Sequence, residues 1–90
     1  MNTVQKTFVI PNKLGLHARA AAQLVKAANR YAAEITLSTK KQSVNAKSIM
    51  GVLMLAASKG TKVNVKVEGK DAEEALGAIE ELINNKFGEE

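Results

Sequence analysis

In "TKVNVKVE", residues 61 to 68, Val63, Val65 and Val67 alternate with Lys62, Asn64 and Lys66. Successive side chains of a strand point to opposite faces, so this stretch specifies a half-buried strand with one apolar face and one face toward water. A sheet built around such a strand needs a covering layer on one side only.

The covering layer is written in helical periodicity. From Ala18 onward, Ala21, Leu24, Val25 and Ala28 recur at helical spacing while Arg19, Gln23, Lys26 and Arg30 fall largely elsewhere, which predicts an amphipathic helix ending near Arg30. After Gly69, the residues Ala72, Ala75, Leu76, Ile79, Leu82 and Ile83 trace the apolar stripe of another helix. Asp71 and Glu74 form a D-x-x-E start for it, and acids there suit the helix dipole. Between these two, Ser48 precedes "IMGVLML" and reads as the N-cap of a short helix, weakened inside by Gly51 and followed by an exit loop at Gly60.

The remaining strands are marked by β-rich runs bounded by turn residues. "VQKTFVI", Val4 to Ile10, ends at Pro11-Asn12, and "EITLSTKKQSVNA", Glu34 to Ala46, reads as two short strands around a polar turn at residues 39–41. Ile35 and Leu37 share one face of the first. The predicted order is β-α-β-β-α-β-α, an α+β pattern in which helices cover one face of an antiparallel sheet. With 90 residues and no repeat, linker or low-complexity segment, one compact domain over residues 1–90 is expected.

Composition removes several classes of function. There is no cysteine, hence no disulfide and no thiolate metal site. Only 3% of residues are aromatic against 46% hydrophobic, so the core must be built from Ala, Val, Leu, Ile and Met. The longest apolar run, around Ile49 to Ala57, falls short of the ~18 residues a membrane helix needs. The first residues lack the apolar run of a secretory signal, so a cytosolic protein is expected. Charge is divided: residues 1–67 carry eleven Lys and Arg against Glu34 alone, whereas residues 68–90 carry eight acids against Lys70 and Lys86. A basic body of this kind suits an acidic protein face or a phosphate-bearing partner, or serves solubility alone.

His17 is the one histidine, and it falls where the loop "NKLGL" gives way to the first helix. Unpaired amides and the dipole at a helix start favour an anion, so an imidazole placed there can bear a phosphoryl group. One ring nitrogen would attack phosphorus, and the amides of Ala18, Arg19 and Ala20 would stabilise the added charge. The Arg19 side chain can add a charge-assisted contact to the phosphoryl oxygens. Gly15 lets the loop turn and leaves space for a donor protein. A histidine at a helix start is also an ordinary surface residue, and position alone does not separate the two readings. A metal site lacks a second histidine or any cysteine, and Ser-His catalysis lacks an elbow and an aspartate partner. No cofactor is expected.

"GLHARAAA", Gly15 to Ala22, together with "KSIMGVLMLA", Lys47 to Ala56, resembles HPr, the histidine-containing phosphocarrier family of the bacterial phosphoenolpyruvate-dependent sugar phosphotransferase system. The resemblance spans essentially the whole chain. It implies an open-faced β-sandwich of a four-stranded antiparallel sheet with three helices on one face. It implies that His17 accepts phosphate on Nδ1 from phosphorylated Enzyme I and passes it to the IIA domain of a sugar permease, with Arg19 contacting the phosphoryl group. Leu16, Ile49, Met50 and Leu53 would form an apolar docking patch, with Leu16, Ile49 and Leu53 each equally readable as core, and Arg19 with Lys26 would meet acidic residues of both partners. Ser48 would be the position that HPr kinase/phosphorylase modifies in some bacteria, although its cap role alone also explains it. The chain would be a phosphotransfer intermediate, acted on by enzymes, and monomeric. Two positions depart from the family pattern: Ala20 stands where most members have proline, and Leu14 where many have a small polar residue.

Two rivals belong to other classes. One is a regulatory module of the same fold, in a nitrogen-type branch or docking to a kinase or transcription factor, without sugar transport; the presence of His17 argues against a purely regulatory role, because a module signalling only through Ser48 would not need it. An RNA-binding domain would use the basic body, but only Phe8, Tyr31 and Phe87 are aromatic, and neither an aromatic RNP-like strand nor a GxxG clamp is present. No nucleic-acid or membrane partner is therefore expected.

Overall fold

The computed structural model describes residues 2–89. Strands β1 (Thr3–Val9), β2 (Glu34–Ser38), β3 (Ser43–Asn45) and β4 (Lys62–Glu68) form one sheet in the order β1-β4-β2-β3, with every neighbouring pair antiparallel. Helices α1 (Ala18–Ala28), α2 (Ile49–Leu55) and α3 (Ala72–Asn84) complete the predicted βαββαβα order. The connection through α1 carries the chain from β1 past β4 to β2, and the connection through α2 carries it from β3 past β2 to β4. The open-faced sandwich expected from the sequence is the observed fold.

The alternation in β4 decides which face is covered. Val63, Val65 and Val67 are buried to 1% or less, while Lys62 and Lys66 are exposed. Phe8 of β1 pairs with Val63, and Ile35 and Leu37 of β2 pair with Val67 and Val65, so these side chains form one apolar sheet face. Ala20, Ala21, Leu24 and Ala28 of α1 and Ala72, Ala75, Ile79 and Ile83 of α3 are buried in the same core. Each large aliphatic side chain so buried contributes about 1.5–3 kcal/mol over leaving it in water. The small alanines let α1 approach both α2 and α3.

Helix boundaries agree with their caps, with one exception. The Ser48 hydroxyl accepts from the Gly51 amide at 3.1 Å, as the N-cap reading requires. Asp71 occupies the N-cap position of α3 but makes no capping bond with its side chain. Its two carboxylate oxygens instead accept from the amides of Ala32 and Ala33, at 2.8 and 2.9 Å. The bend between α1 and β2 offers two adjacent amides, and a carboxylate that receives both ties that bend to the start of α3. Those bonds hold the Asp71 carboxyl below its usual value, with the Ala32 amide the main cause.

Beyond α3 the helical periodicity stops at the pair Asn84-Asn85. Residues 86–88 form a 3-10 turn in which Lys86, Phe87 and Gly88 have φ of 55°, 55° and 77°. Two consecutive non-glycine residues in the left-handed region cost on the order of 1–2 kcal/mol each. Phe87 offsets that cost by filling the core, 1% exposed. The turn directs Glu89 back toward the start of α1.

Candidate functional site

The loop that delivers His17 is fastened on both sides. Ile10 donates its amide to the carbonyl of Thr61 at 3.0 Å and accepts from Gly60 at 2.9 Å, and Leu16 donates to the carbonyl of Ala57 at 2.8 Å. Gly15 has φ +65°, and a Cβ there would lie 2.4 Å from the Ala57 oxygen and 2.8 Å from Ser58 Cα. The expectation that Gly15 leaves space for a donor protein is therefore corrected: the space beside it is filled by the backbone of residues 57–58. What Gly15 allows is the close approach that fixes the loop.

His17 is the N-cap of α1, with φ −77° and ψ −176°. Its Nδ1 accepts from the Arg19 amide at 3.4 Å, a long bond that an incoming group can replace. The other ring nitrogen, Nε2, is hydrogen-bonded to the carboxylate of Glu89. The histidine side chain is 28% exposed and that of Glu89 12%. Glu89 is held in turn by Asn12, whose Nδ2 donates to it at 3.1 Å and to the Gly15 carbonyl at 2.8 Å. Two acceptors at that nitrogen settle which way the buried amide of Asn12 points. The bond from His17, then that from Asn12, hold the Glu89 carboxyl below its usual value, with Arg19 adding to the effect.

An open cleft of about 510 Å³ surrounds the ring, lined by Lys13, Leu14, Arg19, Gly88 and Glu89. Arg19 and Lys13 are exposed cations at its edge. The arrangement gathers a partly exposed imidazole, a helix start, two cations and the Glu89 carboxylate at one opening, and its helix start and cations are of the kind that can receive an anionic group from solvent.

The other residues singled out in the sequence separate by burial. Of the three first-turn amides, that of Arg19 faces the ring nitrogen; Ala18 is exposed, whereas Ala20 is fully buried and offers no open surface to a phosphoryl group. Leu16 is 4% exposed and belongs to the core, so its place in a docking patch is corrected. Leu53 packs half-buried against that core. Ile49 and Met50 are exposed at 45% and 65%, and Lys26 is exposed on α1. Leu14 and Met54, at 64% and 63%, join the exposed apolar set, which periodicity does not reveal. Sequence reasoning also misses Asn12 and Glu89: Asn12 reads as half of a turn signal, and Glu89 as one more acid in an acidic segment. No helix among the described residues is long and apolar enough to cross a membrane.

Known proteins resemble this chain over nearly its whole length. The family model described as the phosphotransferase-system HPr component phosphorylation site matches residues 4–85. The chain is 48% identical over 87 residues to the phosphocarrier protein HPr of Xylella fastidiosa (strain 9a5c), covering 97% of this chain and 98% of that one. It is 53% identical over 83 residues to the phosphocarrier protein HPr of Pseudomonas aeruginosa, covering 91% and 92%. Among solved structures, HPr-C-His of Thermoanaerobacter tengcongensis superposes with a TM-score of 0.91 at 47% identity, covering 100% of this chain and 99% of that one.

Proposed function

Because the chain belongs to the HPr family of phosphotransferase-system phosphocarriers, we propose that His17 is its phosphoryl acceptor, taking the group from phosphorylated Enzyme I and passing it to IIA domains of sugar permeases. The observation that carries this reading is the placement of the ring: an N-cap imidazole, 28% exposed, with Nδ1 toward the Arg19 amide. The Nδ1 lone pair attacks phosphorus, the N–P bond forms, and the bond from phosphorus to the donor breaks with its electron pair leaving on the donor. The phosphoryl oxygens then lie at the helix start, where the Arg19 amide and guanidinium stabilise their charge. An N–P bond keeps a high transfer potential, so the group is released to the next partner, and a ring at an open cleft is reachable by two partners in turn.

Ile49 and Met50, exposed beside Ser48, serve in this reading as the apolar docking surface, with Arg19 and Lys26 attracting acidic partner faces. A phosphate on Ser48, carrying about two negative charges, would stand within that surface and repel the same acidic faces, which makes Ser48 the regulatory position. The protein works in this reading as a cytoplasmic monomer.

Incubation with Enzyme I and labelled phosphoenolpyruvate tests the assignment. Acid-labile label on the wild type that is absent from His17→Ala is the expected result, and equal labelling of both proteins refutes it. For Ser48, acid-stable label added by an ATP-dependent kinase should vanish in Ser48→Ala.

A further inference from the structure

The contact between Glu89 and His17 bears on the chemistry of the ring as well as on its placement. A neutral imidazole carries one proton, on one nitrogen or the other, and the hydrogen bond made by one nitrogen decides which. Here Nδ1 accepts from a backbone amide, which cannot accept in return, so Nδ1 presents its lone pair. Nε2 faces a carboxylate, and a carboxylate only accepts, so Nε2 carries the hydrogen.

We infer that Glu89 is a positioning residue for phosphoryl transfer: its carboxylate, clamped by Asn12, holds His17 in the Nε2–H tautomer and leaves Nδ1 as the nucleophile. The inference rests on the reading of His17 as phosphoryl acceptor. When Nδ1 bonds to phosphorus the ring keeps its Nε2 hydrogen and becomes a cation, and the charge so formed lies against the Glu89 carboxylate. When the group departs, the N–P electron pair returns to Nδ1 and the ring is neutral again, with the same hydrogen still on Nε2.

The support for Glu89 is built into the fold. Asn12 is fully buried and donates to both Glu89 and the Gly15 carbonyl, which ties the carboxylate to the loop that carries His17. On the other side, Phe87 anchors the 3-10 turn in the core, and the Glu89 amide donates to the Lys86 carbonyl at 2.9 Å. The carboxylate is thus held at the ring from two directions. The bonds from His17 and then Asn12 that hold the Glu89 carboxyl below its usual value agree with a carboxylate that stays charged in this contact.

Glu89→Gln keeps the shape and the bond from Asn12, but its amide can donate as well as accept and so no longer selects a tautomer. Nitrogen-15 NMR of the His17 ring at neutral pH should show Nε2 protonated in the wild type and a mixture of tautomers in Glu89→Gln. The rate of phosphorylation by Enzyme I should fall on the order of tenfold, at the lower end of the loss caused by removing a ring-orienting partner, and Glu89→Asp should recover part of both. A melting temperature unchanged in Glu89→Gln assigns the slower rate to the ring. An unchanged tautomer, or an unchanged rate with label still on His17, overturns the role of Glu89 and leaves the acceptor assignment intact. Label that persists in His17→Ala overturns the acceptor assignment itself.

Discussion

The amide of Leu16 donates to the carbonyl of Ala57 at 2.8 Å, and this bond helps join the loop before His17 to the segment that leaves α2. The approach is possible because Gly15 presents no side chain to the Ala57 oxygen and Ser58 Cα. Gly15→Ala should therefore combine a left-handed alanine with a backbone clash, and lower stability by about 2 kcal/mol or more. Urea denaturation measures the loss, and the rate of His17 phosphorylation should fall with it, because the loop that positions the ring is displaced.

Leu16 and Met50 are both apolar and both flank sites of interest, yet they should respond differently to substitution. Leu16→Ala empties a buried position and should cost about 2–5 kcal/mol of stability. Met50→Glu changes a side chain that is 65% exposed, so the melting temperature should move little. Its effect should appear as a rise in KM for Enzyme I of about tenfold, the size expected when an interface anchor is lost. Melting curves and steady-state phosphorylation distinguish the two.

Asp71 predicts an acid-sensitive contribution to stability. Its carboxyl lies below the ordinary value of 3.8 because the Ala32 amide, and then the Ala33 amide, favour the charged form. A depressed folded value means that the stabilisation is present in full above the unfolded value and is lost as pH falls through the folded one. Urea midpoints measured from about pH 6 down to about pH 2.5 should drop more steeply below pH 3.8 in the wild type than in Asp71→Asn. Above that window Asp71→Asn should be the less stable protein.

Gly77 offers the opposite kind of test. It is an exposed residue inside α3, and nothing lies within 4 Å of the position its Cβ would take. Gly77→Ala should stabilise the protein by about 0.5–1 kcal/mol, through the lower helical cost of alanine. Phosphorylation of His17 should proceed at the wild-type rate.

The strands and helices were legible because their signals are local. Val63, Val65 and Val67 in alternation, the Ala21 to Ala28 stripe and the Ser48 cap each act within a few residues, and the structure has all three elements in place. Asp71 shows where that reading fails. Its spacing to Glu74 imitates a capping box, but the amides of Ala32 and Ala33, 39 and 38 residues away, compete for the same carboxylate and take it. The 3-10 turn failed differently, since no local preference favours Lys86 and Phe87 at positive φ, and the burial of Phe87, with the bond from the Glu89 amide to the Lys86 carbonyl, holds them there.

His17 divides along the same line. The sequence by itself determined that a lone imidazole opens an amphipathic helix with an arginine two residues on, because caps and helical periodicity are properties of neighbouring residues. Tertiary structure alone decided that Leu16 is core while Leu14, Ile49, Met50 and Met54 stay in water, since a helix or loop acquires an inside only when other elements pack on it. It alone also set Glu89 against Nε2 across 72 residues. A contact of that span costs chain entropy that nothing local repays, so it forms where the core has already brought α1 and the turn after α3 together.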